Sequence, residues 1–415
     1  MTPPTENFCI IPWFGIETTP IGTVRPCCLA REEIIDDNGI SFDLHSSTFD
    51  QIQNSQYMKD LRQQFLDNKR PPTCGSCWNV EVAGHKSKRL QTLESILARQ
   101  VSEQTWTTNP IPLKYVDLKL GNICNLKCRI CGSFSSSQIA SESLASLPSH
   151  NVKGFPIIHD KKNMNEYKML RQGAWPRESA VFWDELEKVL GQIKKFDISG
   201  GEPFLIEEHF EMLRNMVVNG HSHDTEIYYN SNGTVYPEQA EDIWKDFQTV
   251  KIALSLDDIG ARYEYQRSNG NWDVILSNLE KFRQLRARHG NIELEAGCTV
   301  SIYNVLYLVE ILDCLQTQSL DFVHINFLHY NPMLSIANLP QTIKDQIITH
   351  LITANQTANH NEISVVINFM RQGNSKNDIL DTLAYMKHID QLRSTHLWDS
   401  SPELAKILNY QYNIQ

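Results

Sequence analysis

The chain has 415 residues, enough for roughly two to three domains and a sizeable apolar core. Its 38 Lys+Arg against 49 Asp+Glu give a net charge of −11, a field that repels a phosphate backbone, so no nucleic acid is expected as a partner. The start MTPPTENFC lacks a basic segment followed by an apolar one, and no apolar run reaches the ~18 residues that span a bilayer, so the expectation is a cytoplasmic protein with no membrane partner.

In chain order, residues 1 to about 110 are turn-rich and hold five of the ten cysteines, Cys9, Cys27, Cys28, Cys74 and Cys77. Between them TFDQIQNSQYMKDLRQQFLDN has apolar residues at helical spacing, and the proline pair after it ends the helix. From about 111 to 330 the pattern becomes short β-rich runs, KYVDLKL, KFDISG, TEIYYNS, VKIALSLD, IELEAGCTV and FVHINFLHY, with helical stretches such as EEHFEMLRNMVVNG and VILSNLEKFRQLRARHG between them. Alternating β and α predicts a parallel sheet, in an open doubly wound form or as part of a β/α barrel, with chemistry at the carboxyl ends of the strands. About 50 residues separate Cys131 from the helix FWDELEKVLGQIKKF, far more than a βα loop needs; residues 135 to 180 are therefore the candidate cover of the site. After Tyr330 the chain reads as helices, including PQTIKDQIITHLITANQ and ILDTLAYMKHIDQL.

Eight cysteines fall in the first third of the chain, which in a reducing compartment points to metal and not to disulfides. Three of them form GNICNLKCRICG, with Cys124, Cys128 and Cys131 spaced CxxxCxxC directly after a strand. Three thiolates can hold three irons of a [4Fe–4S] cube and leave the fourth open to an outside ligand. The alternative is three of four zinc ligands with a distant fourth.

The spacing and its placement resemble the radical S-adenosylmethionine (SAM) superfamily, in which SAM chelates the open iron. SGGEP, at the end of the next strand, supports the likeness: two glycines allow close backbone approach and a glutamate accepts from an ammonium group. The resemblance implies that Gly200, Gly201 and Glu202 hold the SAM amino group. It further implies that Asn232 lies at the site after strand 3, that Ser255 and Asp257 after strand 4 bind ribose or, for Asp257, substrate, and that Arg267 lies near the SAM carboxylate. The implied reaction is reductive cleavage of SAM to a 5′-deoxyadenosyl radical that takes hydrogen from substrate.

The N-terminal cysteines resemble the SPASM and twitch auxiliary-cluster domains, although these usually follow the barrel and here precede it. The resemblance implies a second [4Fe–4S] cluster on Cys9, Cys27, Cys74 and Cys77, with electron transfer as its task. Cys28 is an alternative to Cys27, and structural zinc would suit the same four thiolates. Cys298, at the end of strand 5, is a candidate hydrogen donor to a substrate radical or a small core residue; Cys314 reads as helix packing.

The expected fold is α/β: a partial (β/α)6 TIM-like barrel over 111–330, preceded by a cysteine-rich auxiliary-cluster domain over 1–110 and followed by a helical C-terminal extension over 331–415. The expected function is a radical SAM enzyme acting on a peptide or protein, with flavodoxin or ferredoxin as electron donor. The alternatives are a dehydrogenase of a small sugar or cyclitol alcohol and a non-catalytic zinc-binding scaffold.

Overall fold

The computed structural model describes residues 3–82, 86–95, 97, 105–146, 170, 173, 175–177, 179–328, 331–373 and 379–411. Of the candidate cover, the helix Ser137–Ser146 is described, while residues 147–169 lie outside the described residues. The described strands are β1 (Gly15–Thr18), β2 (Val24–Arg25), β3 (Tyr115–Lys119), β4 (Lys127–Cys128), β5 (Lys195–Ser199), β6 (Glu226–Ser231), β7 (Thr249–Ser255), β8 (Arg267–Ser268), β9 (Ile292–Val300) and β10 (Phe322–Phe327). The chain divides into two compact units, one of Met1–Ile123, Gln172–Asn230 and Glu238–Lys251, the other of Cys124–Arg171, Ser231–Pro237 and Ile252–Gln415.

In the first unit the strand order is β2-β1-β3-β5-β6-β7, with β1, β3, β5 and β6 parallel and β2 antiparallel at the edge. The register aligns Ile16, Val116, Phe196 and Ile227 in one row and Glu17, Asp117, Asp197 and Tyr228 in the next. Successive strand residues face opposite ways, so the apolar row builds the core and the acidic row occupies the other face. All four apolar residues of that row are fully buried. Glu17 is compensated by Arg25 and Lys119, and Lys195 bonds Glu226 at 2.5 Å and lies 3.6 Å from Asp197.

In the N-terminal region β1 pairs with β3 about a hundred residues on, and its Ile16 completes the same core row. One expectation changes. The single helix over 48–68 is two, Phe49–Gln53 and Gln56–Leu66. Ser55 starts the second by accepting from Met58 N, and the first is closed into a capping box by Thr48 and Gln51, so each piece has its own terminus.

The second unit holds β9 and β10, parallel with Cys298 opposite Ile325, the remainder of β7 beside β9, and the two-stranded β4–β8 ribbon. Its C-terminal part is helical, with Gln341–Ala358, Asn361–Gln372 and Ile379–Arg393 the longest elements. Among the described residues no helix is long and apolar enough to cross a membrane.

One buried polar chain in the first unit has a measurable consequence. His209 Nδ1 donates to Ile206 O at 2.5 Å, leaving Nε2 to accept from Tyr229 OH at 3.2 Å, and Trp244 Nε1 donates to the same hydroxyl at 3.4 Å. Burial pushes the imidazolium pKa down to about 3. The unfolded chain, with an ordinary value near 6.5, takes up a proton that the folded chain refuses, so this stability is complete above pH ~6.5 and is lost as pH falls toward 3. At pH 5 the loss is about 2 kcal/mol. Urea midpoints at pH 7 and pH 5 should therefore fall less for His209→Gln than for the parent, and an equal fall in both would contradict the assignment.

Candidate functional site

The pairing of β3 with β5 continues past the strand ends. Leu120 N donates to Ser199 O at 3.0 Å, Gly201 N to Gly121 O at 3.1 Å, and Glu202 N to Ile123 O at 2.8 Å. This close approach requires glycine. A Cβ on Gly201 would fall 2.1 Å from Ile123 O, and one on Gly200, whose φ is +141°, would fall 2.7 Å from Gly121 O. Gly121, with φ +78°, faces Trp175 O, which a Cβ would approach to 2.3 Å. Glu202 is fully buried and its Oε1 accepts from Phe204 N at 3.1 Å, capping the turn Pro203–Leu205.

Ile123 leads directly into the three cysteines, which lie in the second unit. Cys124, Leu126 and Cys128 are buried together and Cys131 packs against them. Cys124 Sγ accepts from Leu126 N at 3.4 Å and from Asn232 Nδ2 at 3.7 Å, and Cys128 Sγ accepts from Arg267 Nη1 at 3.6 Å. The β4–β8 ribbon explains the last contact, since it sets Cys128 opposite Arg267. A hydrogen bond from the Cys131 thiol, helped by the Arg267 charge, outweighs burial and brings Cys128 down to about 7; Cys131, which keeps the shared proton, is pushed up.

Arg267 is held in turn by Asp257, whose Oδ2 accepts from Nε at 3.1 Å and from Nη2 at 2.6 Å while Oδ1 accepts from Thr299 N at 2.8 Å. The carboxylate expected to meet a ribose is thus occupied by a guanidinium and a backbone amide. Asn232 also turns inward: besides Cys124 it donates to Asn125 Oδ1 at 3.0 Å and accepts from Thr234 N at 2.9 Å. Ser255 ends β7 and is half-buried. Cys298 is fully buried, its thiol 3.8 Å from Asp257 O.

In the first unit Cys9, Cys27, Cys74 and Cys77 line one small cavity of about 20 Å³, together with Ile11, Phe65, Lys88 and Arg89. Cys9 precedes the short helix Ile11–Phe14, Cys74 ends the turn Pro72–Cys74, and Cys77 lies in the helix Gly75–Val82. Burial pushes Cys9 and Cys74 up, and the neighbouring cysteines push them further. Cys28 is used differently: its sulfur accepts from Lys88 Nζ at 2.9 Å, and Lys88 also meets Tyr115 OH at 2.8 Å, Asp117 at 3.4 Å and Asp197 at 3.6 Å.

Residues 118–292 match the family model of the radical SAM superfamily, and residues 9–78 match that of SPASM, an iron–sulfur cluster-binding domain. The chain carries a radical SAM domain behind an N-terminal SPASM domain. A radical SAM domain takes a [4Fe–4S] cluster and SAM, and a SPASM domain takes auxiliary iron–sulfur. No curated protein matches the sequence. Among solved structures the chain is similar to native anSMEcpe with bound AdoMet and Cp18Cys peptide, at 16% identity and TM-score 0.35 over 59% of this chain and 62% of that one. It is also similar to Streptococcus suis SuiB bound to S-adenosylmethionine, at 12% identity and TM-score 0.32 over 86% and 70%, and to SuiB bound to precursor peptide SuiA, at 13% and 0.32 over 90% and 71%. The chain spans about three fifths of the length of the anSMEcpe structure.

The side chains fit these groups. In the radical SAM domain three thiols share one buried cluster, with N–H donors on two sulfurs and a cation beside a set that becomes anionic when it ligates iron. In the SPASM domain four thiols line a single cavity. Among the described residues no group of three or more His, Cys, Asp or Glu side chains is arranged to hold a single metal ion. Two residues at these sites escaped sequence reasoning: Asn125, whose partner Asn232 was already under suspicion, and Lys88, whose partners come from three distant segments.

Replacing Gly201 by Ala forces the segment before Cys124 to move. The expected result is a loss of about 3 kcal/mol of stability by the cost of overpacking, and loss of roughly half of the bound iron if each cysteine set holds a four-iron cluster. Chemical denaturation and iron analysis check this; an alanine variant with the parent's stability and iron would contradict the close contact.

Proposed function

We propose that the chain is a radical SAM enzyme that removes a hydrogen atom from a residue of a peptide or protein and uses the SPASM domain to accept an electron from the product radical. The observation that carries the reading is the set of three thiols at Cys124, Cys128 and Cys131, packed in one cluster with N–H groups directed at the Cys124 sulfur and the Arg267 guanidinium at the Cys128 sulfur. The SPASM match favours a peptide or protein over a small alcohol, because modification of such substrates is the commonest theme among SPASM-bearing relatives.

When bound, the cluster and SAM supply a 5′-deoxyadenosyl radical as hydrogen acceptor. Cys124, Cys128 and Cys131 would hold the cluster. Gly200 and Gly201 let the backbone close on the 121–123 segment, and Glu202 would accept from the SAM ammonium. Arg267 offsets the thiolate charge, and Asp257 orients Arg267. Asn232 steadies the loop through Cys124 and Asn125, and Ser255 remains the residue for the ribose. Cys9, Cys27, Cys74 and Cys77 would hold the auxiliary cluster. The Lys88 bond to Cys28 favours Cys27 as the ligand of that pair. Burial keeps the Cys298 thiol protonated, and the neighbouring Asp257 charge adds to this, so Cys298 is the proposed source of hydrogen where the product radical is quenched and not oxidised. The functional domains are 1–110, 111–330 and 331–415. The clustering of eight cysteines in the first third of the chain favours a reducing cytoplasm, and a flavodoxin or ferredoxin is the proposed electron donor.

Purified without oxygen, the protein should contain about eight irons, as two four-iron clusters require, and should release 5′-deoxyadenosine from SAM and a reductant. Cys124→Ala, Cys128→Ala and Cys131→Ala should each abolish that release. Cys9→Ala and Cys74→Ala should lower iron and block product formation while sparing uncoupled cleavage. Colourless protein with zinc at both cysteine sets would end the reading, and deuterium passing from a labelled alcohol but from no labelled peptide into 5′-deoxyadenosine would transfer it to a small-molecule substrate.

A further inference from the structure

The helical C-terminal part grips the three-cysteine loop through a second buried system. Arg129 lies between Cys128 and Cys131 in sequence and is 1% exposed. Its Nε donates to Tyr265 O at 2.8 Å, and its Nη2 donates to Asp390 Oδ1 and to Thr395 Oγ1, both at 2.6 Å. The guanidinium carbon lies 3.7 Å from the centre of the Tyr265 ring. Asp390 is 2% exposed, and its other oxygen accepts from Tyr410 OH at 2.6 Å and from Leu397 N at 3.2 Å. Three residues further along the same helix, Arg393 donates to Lys127 O at 2.6 Å and pairs with Glu142 at 2.8 Å, while Lys127 Nζ bonds Glu142 at 2.9 Å. The residues on either side of Cys128, Lys127 and Arg129, are therefore both held from Ile379–Arg393.

A buried Arg–Asp pair is a poor way to gain stability alone, since removing two charges from water costs about as much as their attraction returns. It does fix geometry, because a guanidinium with three defined acceptors and a ring against its face has one orientation. The backbone of Arg129 is held as well, with its N–H on Gln266 O at 2.8 Å. The same helix and the loop share the wall of a cavity of about 330 Å³, lined by Cys128, Cys131, Gly132, Tyr385, Ile389 and Arg393 among others.

We propose that Arg129 and Asp390 are positioning residues, through which the C-terminal helix Ile379–Arg393 sets the separation of the Cys128 and Cys131 thiols for the SAM-cleaving cluster. The C-terminal extension is on this view a part of the radical SAM site. The proposal rests on the reading that these thiols hold that cluster, and its test separates the two.

Anaerobic holoenzyme carrying Asp390→Asn, Asp390→Glu or Thr395→Val is compared with the parent by electron paramagnetic resonance, in which added SAM perturbs only the three-cysteine cluster, and by hydrogen exchange of amides 126–133 after cluster removal. Asp390→Asn should lower the SAM-responsive signal at least about fivefold, leave the auxiliary signal in place, and speed exchange of the loop about tenfold, as losing a hydrogen bond to a charged group does. Asp390→Glu should recover most of both. A SAM-responsive signal within about twofold of the parent, or parallel loss of both clusters, would overturn the proposal. Should Asp390→Asn not fold, Thr395→Val removes only the hydroxyl's bonds to Arg129 and Asp390 and leaves the Arg129–Asp390 pair, and it should still speed exchange of the loop about threefold by the modest worth of such hydrogen bonds; unchanged exchange would overturn the clamp. A parent protein that binds no cluster sinks the functional reading alone, because the exchange comparison in cluster-free protein still decides the clamp.

Discussion

Everything ahead of the three cysteines depends on two peptide backbones approaching with no side chain between them. Residues 200–202 lie against residues 121–123 closely enough that Gly201 N and Glu202 N bond the carbonyls of Gly121 and Ile123. Both segments leave the ends of adjacent parallel strands whose last registered pair is Lys119 with Ser199. The ladder therefore runs beyond the strands to the residue before Cys124. Gly121 and Gly200 take backbone angles that other residues avoid, and Gly201 is required by space alone. A fixed entry to the cysteine loop follows from this pairing of backbones.

The same strands carry a face of alternating charge. The register puts Glu17, Asp117 and Asp197 side by side, and like charges directly opposite are destabilising. Arg25 and Lys119 serve Glu17, Lys195 serves Asp197, and Lys88 lies within 3.6 Å of both Asp117 and Asp197. Burial still raises Glu17, so its compensation is incomplete. Lys88 is pushed up despite burial by Cys28 and the two aspartates, and so remains charged. One cation therefore joins the acidic row of the sheet to the cysteine-lined cavity, and the strands that build the core also set the electrostatics of the N-terminal cysteines.

Much of this was legible in the sequence, and the reason is local. Every expected strand is present within two or three residues of its expected ends, because alternation and turn residues act over short distances. Both cysteine sets declared themselves by spacing, and the SGGEP turn by its glycines. The illegible parts are all pairings across long stretches of chain. Nothing near residue 15 shows that β1 will lie beside β3, and nothing near Asp257 shows that its carboxylate belongs to Arg267. Arg129 finds Asp390 at a separation of 261 residues. The helix break at Asn54–Ser55 is the exception: serine before a new run of helix formers is a start signal that helical periodicity alone overrides.

Two arginines border the cysteine loop, and they differ in what their charge meets. Arg267 divides itself between Asp257 and Cys128 Sγ, so part of its field reaches the sulfur and helps to lower Cys128 toward 7. Arg129 gives its charge to Asp390 and its face to Tyr265, and the field that reaches the thiols is correspondingly small. One arginine is arranged for electrostatics and the other for geometry. A ligand set of three thiolates needs both, since the charge that gathers there must be offset and the sulfurs must not drift apart in answer to it.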